Sequence, residues 1–198
     1  MIDESLDPLI DEEPAGLAGL KDRLAKLAGD SGLLDVGYLI MDSPLGPLLL
    51  AATERGLVRV AYQIQDHDRV IAELSQKISP RVLRAPRRLD PVARELDEYF
   101  AGQRSEFDLD LDLVLTAGFR QQVLRELPTI AYGSTASYRQ IAERAGSPRA
   151  FRAVGTACAL NPLPIVLPCH RVVPTSGGIG RYAGGPEAKA ALLALESR

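Results

Sequence analysis

Residues 36–114 show short apolar runs separated by turn residues. Residues 38–41 and 48–52 flank Ser43-Pro44-Leu45-Gly46-Pro47, which predicts two strands joined by a hairpin turn. Glu54-Arg55-Gly56 predicts a second turn into a strand over 57–62. Across 68–78, Val70, Ile71, Leu74 and Ile78 return at helical spacing. Residues 91–100 read as a short helix with Pro91 at its first position. Residues 108–113 alternate Asp and Leu with period two, which predicts a half-buried strand. This stretch reads as an α/β scaffold and shows no catalytic constellation.

From residue 115 onward the pattern turns helical. A helix over 119–127 is stopped by Pro128. Ser137 and Gln140 form a capping box, in which the hydroxyl accepts from the N3 amide and the glutamine reaches back. It opens a helix over 138–145, ended by Gly146; Ser147-Pro148 then starts another, running to about 160. Two short helices joined at a glycine make a helix-turn-helix pattern. The second helix carries the small residues Ala150, Ala153, Gly155 and Ala157 beside Arg149 and Arg152. Small residues let a helix backbone approach a groove, and arginines contact phosphate or insert between bases. Before residue 36, Leu17, Leu20, Leu24 and Leu27 recur at helical spacing within an acidic extension of 9 Asp and Glu against 3 Lys and Arg.

Charge sharpens this division. The chain of 198 residues has net charge -3, yet residues 115–198 carry 10 Lys and Arg against 4 Asp and Glu. Residues 1–114 carry 13 against 22. A basic half in an acidic protein suits a polyanion. At 46% hydrophobic and 25% charged, the chain can bury a core. No apolar run approaches the roughly 18 residues of a membrane helix. The Met1-Ile2-Asp3-Glu4 start lacks the layout of a secretory signal. Cys158, Cys169, His67 and His170 have no zinc spacing, so no metal is expected. Free thiols without a signal point to the cytoplasm. His67 reads as a solvated residue of a polar loop.

The chemistry concentrates at Pro164-Ile165-Val166-Leu167-Pro168-Cys169-His170-Arg171-Val172-Val173. An apolar run pinched by Pro168 leads straight into a thiol, an imidazole and a guanidinium. A thiol attacks as thiolate, and a neighbouring base or positive charge favours that form. Adjacent residues of an extended segment point to opposite faces, so His170 is expected to reach Cys169 through a bend or a water.

The Pro168–Val173 motif resembles the active-site motif of the O6-alkylguanine-DNA alkyltransferases. The resemblance includes Phe119-Arg120-Gln121-Gln122-Val123, Ile130-Ala131-Tyr132-Gly133, Ser137-Tyr138, Arg152-Ala153-Val154-Gly155 and Asn161-Pro162. It continues through Gly180-Arg181-Tyr182-Ala183-Gly184-Gly185, Lys189 and Leu192-Leu193-Ala194-Leu195-Glu196, so it covers roughly 115–196. Ser43–Leu48 is similar to the family's first hairpin, and residues 1–35 lie outside the resemblance.

The resemblance implies a ribonuclease H-like α/β domain over 36–114 and a winged helix-turn-helix-like domain over 115–198. It implies a single-turnover DNA repair protein that flips out O6-alkylguanine and moves the alkyl group to Cys169. His170 would be its base through a water, Glu196 the orienting carboxylate, and Asn161 a brace for the turn. Tyr138 would donate to the leaving guanine. Tyr182, Lys189, Pro164 and Gly180 would form the base pocket. Arg152 would fill the space of the extruded nucleotide, with Ala153, Gly155, Arg149 and Arg171 also meeting DNA. Cys158 reads as structural or groove-facing, and Leu124, where many relatives carry Trp, as a packing difference. The partner is double-stranded DNA containing O6-alkylguanine; no cofactor, membrane or obligate protein partner is expected. Two other functions compete. A damage-sensing DNA binder would lack the acceptor cysteine, and a thiol hydrolase would have no use for the helix-turn-helix.

Overall fold

A computed structural model of the chain describes residues 15–175 and 177–197. The first fourteen residues of the acidic extension therefore lie outside the described residues.

Strands β1 (Val36–Met41), β2 (Leu48–Thr53), β3 (Gly56–Tyr62) and β4 (Val82–Arg84) form one sheet in the order β3-β2-β1-β4. The hairpin pairs β1–β2 and β2–β3 are antiparallel, and β4 joins β1 in parallel. Helix α2 (His67–Lys77) covers one face through Val70 and Leu74, packed on Val36, Leu49, Ala51, Val58 and Ala61. Helix α3 (Pro86–Phe100) covers the other, with Leu89, Val92, Leu96 and Tyr99 turned inward. Central β2 is buried on both faces, so it reads as an unbroken apolar run rather than an alternation.

The core beneath α3 continues without a break into the C-terminal half. Leu48, Leu50 and Val60 share one cluster with Val123, Leu124, Ile141, Val154 and Leu192. Helices α4 (Gly118–Glu126), α5 (Tyr138–Arg144) and α6 (Phe151–Ala159) pack on one another. The Ser137 capping box is present: Ser137 Oγ accepts from Gln140 N at 3.2 Å and Gln140 Oε1 accepts from Ser137 N at 2.7 Å. Strands β5 (Ala136–Ser137) and β6 (Val172–Val173) pair in parallel, and α7 (Gly185–Glu196) closes the fold.

Three expectations are corrected. Helix α3 begins at Pro86, and Pro91 lies inside it; Leu89 extends the apolar face by a turn, and exposed Pro91 leaves the freed carbonyl to water. Residues 108–113 form only one bridge, Leu57 with Leu111; Leu109, Leu111 and Leu113 pack on the core, and Asp112 is buried too, accepting from Thr53 and Arg55. Helix α6 begins at Phe151, because Pro148 sits inside a turn closed by Ala150 N to Ser147 O at 2.8 Å. The leucine spacing before residue 36 does lie on a helix, α1 (Ala15–Asp30), but Leu20, Leu24 and Leu27 face solvent and Ala28, with Leu34, packs on Ala85. The side chain of Leu17 lies outside the described ones.

Gly56 carries φ +131°, and a Cβ there would stand 2.2 Å from the carbonyl oxygen of Asp110. That carbonyl accepts from Leu57 N, and Leu57 O accepts from Asp112 N. Gly56→Ala therefore expels the 108–113 segment. Denaturant unfolding is expected to show a loss on the order of 3 kcal/mol; unchanged stability would contradict this docking.

Candidate active site

The segment leading to Cys169 is not extended. Leu167 N bonds Leu163 O at 2.8 Å, Ile165 adopts φ +74°, and residues 169–171 form a single 3-10 turn. The many prolines and the left-handed Ile165 fold the apolar run back on itself. All ten residues from 161 to 170 are buried.

Asn161 holds this fold. Its Oδ1 accepts from Leu163 N at 2.9 Å; its Nδ2 donates to Leu167 O at 2.9 Å and to Cys169 Sγ at 3.1 Å. The thiol is 1% exposed, and burial pushes it up to about 11, against the opposing pull of Asn161 and Lys189. At neutral pH it is protonated.

His170 is fully buried beside it. Its Nε2 meets Glu196 Oε1 at 2.8 Å, and its Nδ1 has no partner among the described residues. Burial lowers the imidazole below its ordinary value, more than Glu196 raises it. The neutral ring therefore donates from Nε2 to the carboxylate and keeps an acceptor lone pair on Nδ1.

Glu196 is the most densely bonded group in the site. Oε1 also accepts from Tyr99 Oη at 2.6 Å and Arg171 Nη2 at 2.9 Å. Oε2 accepts from Arg171 Nε at 2.8 Å and Gly133 N at 3.3 Å. Burial would raise this carboxyl; the bonds from His170, Arg171 and Tyr99 outweigh it and hold the group near 2.

Arg171, expected to meet DNA, is instead buried in the protein. It is 6% exposed, forks onto Glu196, donates to Ile130 O at 2.7 Å and lies over the Tyr132 ring. A planar cation beside a buried carboxylate is drawn inward by the ion pair.

The remaining candidates divide into an interior set and a surface set. Lys189 is buried and donates to Val172 O at 2.7 Å; it interacts electrostatically with both Cys169 and Cys158. Tyr182 is buried, edge-on to His170, and shares a 2.9 Å hydroxyl bond with Tyr62. Pro164 is buried in the folded turn. Half-buried Tyr138 faces Cys158 and Cys169, and burial raises its phenol. Gly180 permits this placement: with φ +74°, a Cβ there would stand 2.8 Å from Tyr138 Oη. Cys158 is buried, its thiol pushed up by burial. On the surface, Arg149, Arg152 and Ala153 are exposed and Gly155 is half-buried, so α6 offers its basic, small-residue face to solvent. His67 is not in a loop: it opens α2, half-buried, its Nε2 covered and without a partner among the described residues. Among the described residues no group of three His, Cys, Asp or Glu forms a metal site.

Two contributors escaped the sequence. Tyr99 and Tyr62 come from the N-terminal half, where the pattern offered only scaffold. Tyr99 continues the buried stripe of α3 and so reads as packing; its hydroxyl partner lies 97 positions away.

A family model described as 6-O-methylguanine DNA methyltransferase, ribonuclease-like domain, matches residues 36–113. A second, described as the DNA binding domain of 6-O-methylguanine DNA methyltransferase, matches 118–198. The chain belongs to the O6-alkylguanine-DNA alkyltransferase family. The methylated-DNA--protein-cysteine methyltransferase of Mycolicibacterium paratuberculosis is 40% identical over 163 residues, 82% of this chain and 93% of that protein. The protein of the same name from Mycobacterium leprae is 44% identical over 159 residues, 79% of this chain and 89% of its own. Among solved structures, Mycobacterium tuberculosis OGT in complex with DNA is similar at TM-score 0.72 and 39% identity, covering 81% of this chain and 92% of that one.

Both His170 and Glu196 have values lowered in the folded chain, so each contributes stability above its unfolded value and loses it on acidification. Unfolding free energy is expected to fall below pH 6.5 through His170, then by on the order of 3 kcal/mol as pH drops from about 4.5 to about 2 through Glu196. Glu196→Gln is less stable at neutral pH and flatter in this lower window. Denaturant titrations across pH check it; parallel wild-type and variant curves would reject the assignment.

Proposed function

We propose that this chain repairs O6-alkylguanine in double-stranded DNA by moving the alkyl group to Cys169. The reaction class is that of its family; the residue roles rest on the buried Asn161–Cys169–His170–Glu196 array, the observation that carries the reading. Residues 115–198 form the DNA-binding and alkyl-accepting part, residues 36–114 the scaffold, and residues 1–35 an extension. Among the described residues no helix is long and apolar enough to cross a membrane. Two free cysteines, one of them reactive, support a cytoplasmic setting.

A stacked base cannot bring its O6 substituent to a buried sulfur, so the nucleotide leaves the duplex, at a cost of a few kcal/mol. Exposed Arg152 enters the stack in its place, while Ala153 and Gly155 let α6 sit close in the groove and Arg149 holds phosphate. Tyr182, Lys189, Pro164 and Gly180 receive the base.

The thiol proton passes through a water to Nδ1 of His170, and Glu196 steadies the imidazolium that forms. The sulfur attacks the alkyl carbon: the S–C bond forms, the C–O6 bond breaks, and its electron pair stays on guanine. Tyr138, a phenol kept protonated by burial, gives its proton to the leaving base, and His170 passes the thiol proton on to the tyrosinate, so guanine gains one proton and Tyr138 and His170 return to their starting states. The thioether has no route back, and each molecule acts once.

Wild-type protein mixed with duplex O6-methylguanine should gain one methyl group by mass, located on Cys169. Cys169→Ser should fold and bind DNA without any mass gain, since a hydroxyl is far less acidic than a thiol. Transfer by the serine variant would sink the assignment.

Arg152→Ala should slow duplex repair by roughly tenfold or more while leaving the reaction with free O6-benzylguanine intact, because a free base needs no flipping. Equal slowing of both would move Arg152 into the chemistry or the fold.

A further inference from the structure

A cleft of about 240 Å3 lies on the far side of the Asn161 turn, between β3, α2, α4 and the end of α6. The volume is below that of a drug-sized pocket. Its polar lining is unusual for an acidic protein: Arg59, Lys77 and Arg120 face it with Glu73 as the lone carboxylate. Glu73 is already shared, at 3.5 Å from Lys77 and 3.4 Å from Arg69. The lining thus carries an excess of two positive charges.

Arg59 is the informative member. Its Nε is wholly covered and has no hydrogen-bond partner among the described residues. A covered donor of a charged group that is left unpaired carries the cost of its lost hydration with nothing in return. Burial also disfavours the charged guanidinium, and the attraction of Glu73 offsets this only in part. A guanidinium fork satisfies an oxyanion with two parallel bonds.

We infer that the Arg59–Arg120–Lys77 cleft is a phosphate-binding site. Leu160 and Asn161, which follow α6, line it. Helix α6 runs about 10 Å from Arg152 to its end at Ala159. That length matches roughly three phosphates along one strand. A phosphodiester of the duplex engaged by α6 is one source of the ligand, and free inorganic phosphate is the other. Either would sit against the backbone of Asn161, the residue that donates to Cys169 Sγ. The site extends the anion-holding surface onto β3 and α2, in the half that sequence reading left as scaffold.

The test has two arms on the full chain, with Arg59→Gln, Arg120→Gln and, as a control, exposed Arg94→Gln on α3. In the first arm, thermal unfolding is followed in inorganic phosphate and in chloride at matched ionic strength. Phosphate should raise the wild-type midpoint, and both cleft variants should lose that rise while Arg94→Gln keeps it. Arg120→Gln is half-buried and guards against a folding defect in Arg59→Gln; midpoints in chloride report any such defect. In the second arm, salt titration of undamaged duplex binding gives the log–log slope. A slope shallower by about 0.9 in Arg120→Gln assigns the phosphate to DNA. A lost phosphate response with an unchanged slope assigns the site to free phosphate. No phosphate response in the wild type together with an unchanged slope, or losses equalled by Arg94→Gln, would overturn the site. Both arms read binding alone, so their failure leaves methyl transfer to Cys169, read by mass, untouched.

Discussion

Everything in the active site converges on one buried carboxylate. Glu196 sits two residues from the last position of the chain, yet it is 4% exposed and accepts from Tyr99, Gly133, His170 and Arg171. Those donors come from α3, from the loop before β5 and from the turn that carries the nucleophile. A carboxylate without such partners would be expelled or protonated. With them, it ties α7 to three otherwise separate segments and fixes the tautomer of His170. Removing a donor disturbs both stability and chemistry, since the same bonds serve each.

The second constraint is the protonated thiol. Burial raises Cys169 to about 11, so no standing thiolate waits in the resting site. Sulfur that is buried and protonated is protected from oxidants and from stray electrophiles. Activation is instead tied to the presence of substrate. Neutral His170 offers an open acceptor on Nδ1, and Lys189 adds positive potential beside the sulfur. A protein consumed by its own reaction benefits from this restraint, because every unproductive alkylation removes a molecule.

Much of this was legible along the chain, and the limits are physical. The central strands, α2, the capping box at Ser137 and the cysteine segment follow from local period and local hydrogen bonding. Residues 108–113 show where period misleads: Asp and Leu alternate, but Leu57 alone provides a pairing partner, so no ladder forms. Arg171 shows where residue type misleads. A basic residue beside a DNA-binding helix suggests phosphate, and only the fold reveals the carboxylate that draws it inside. Tyr99 and Tyr62 were invisible because a tyrosine's apolar ring explains its burial before its hydroxyl is considered. Cys169 and Asn161 are eight residues apart, and a turn was predictable there; its tightness depends on Ile165 entering the left-handed region, which no β-branched residue advertises.

Asn161 also links the proposed chemistry to α6, the helix proposed to meet DNA. It follows α6 and grips Cys169 Sγ at 3.1 Å. A sulfur bearing a methyl group presents a carbon that needs roughly 3.5–4.0 Å from its neighbours. The ten residues around the turn are buried, so the methyl group is added among packed neighbours. The Asn161–Sγ contact is the one that lies in its path, and the thioether accepts a hydrogen bond more weakly than the thiol did. Displacing Asn161 releases Leu167 O and Leu163 N as well, since the same side chain holds both. A methyl group on the sulfur therefore presses on the side chain that follows α6, so the Asn161–Sγ bond couples the proposed chemistry to the helix proposed to meet DNA.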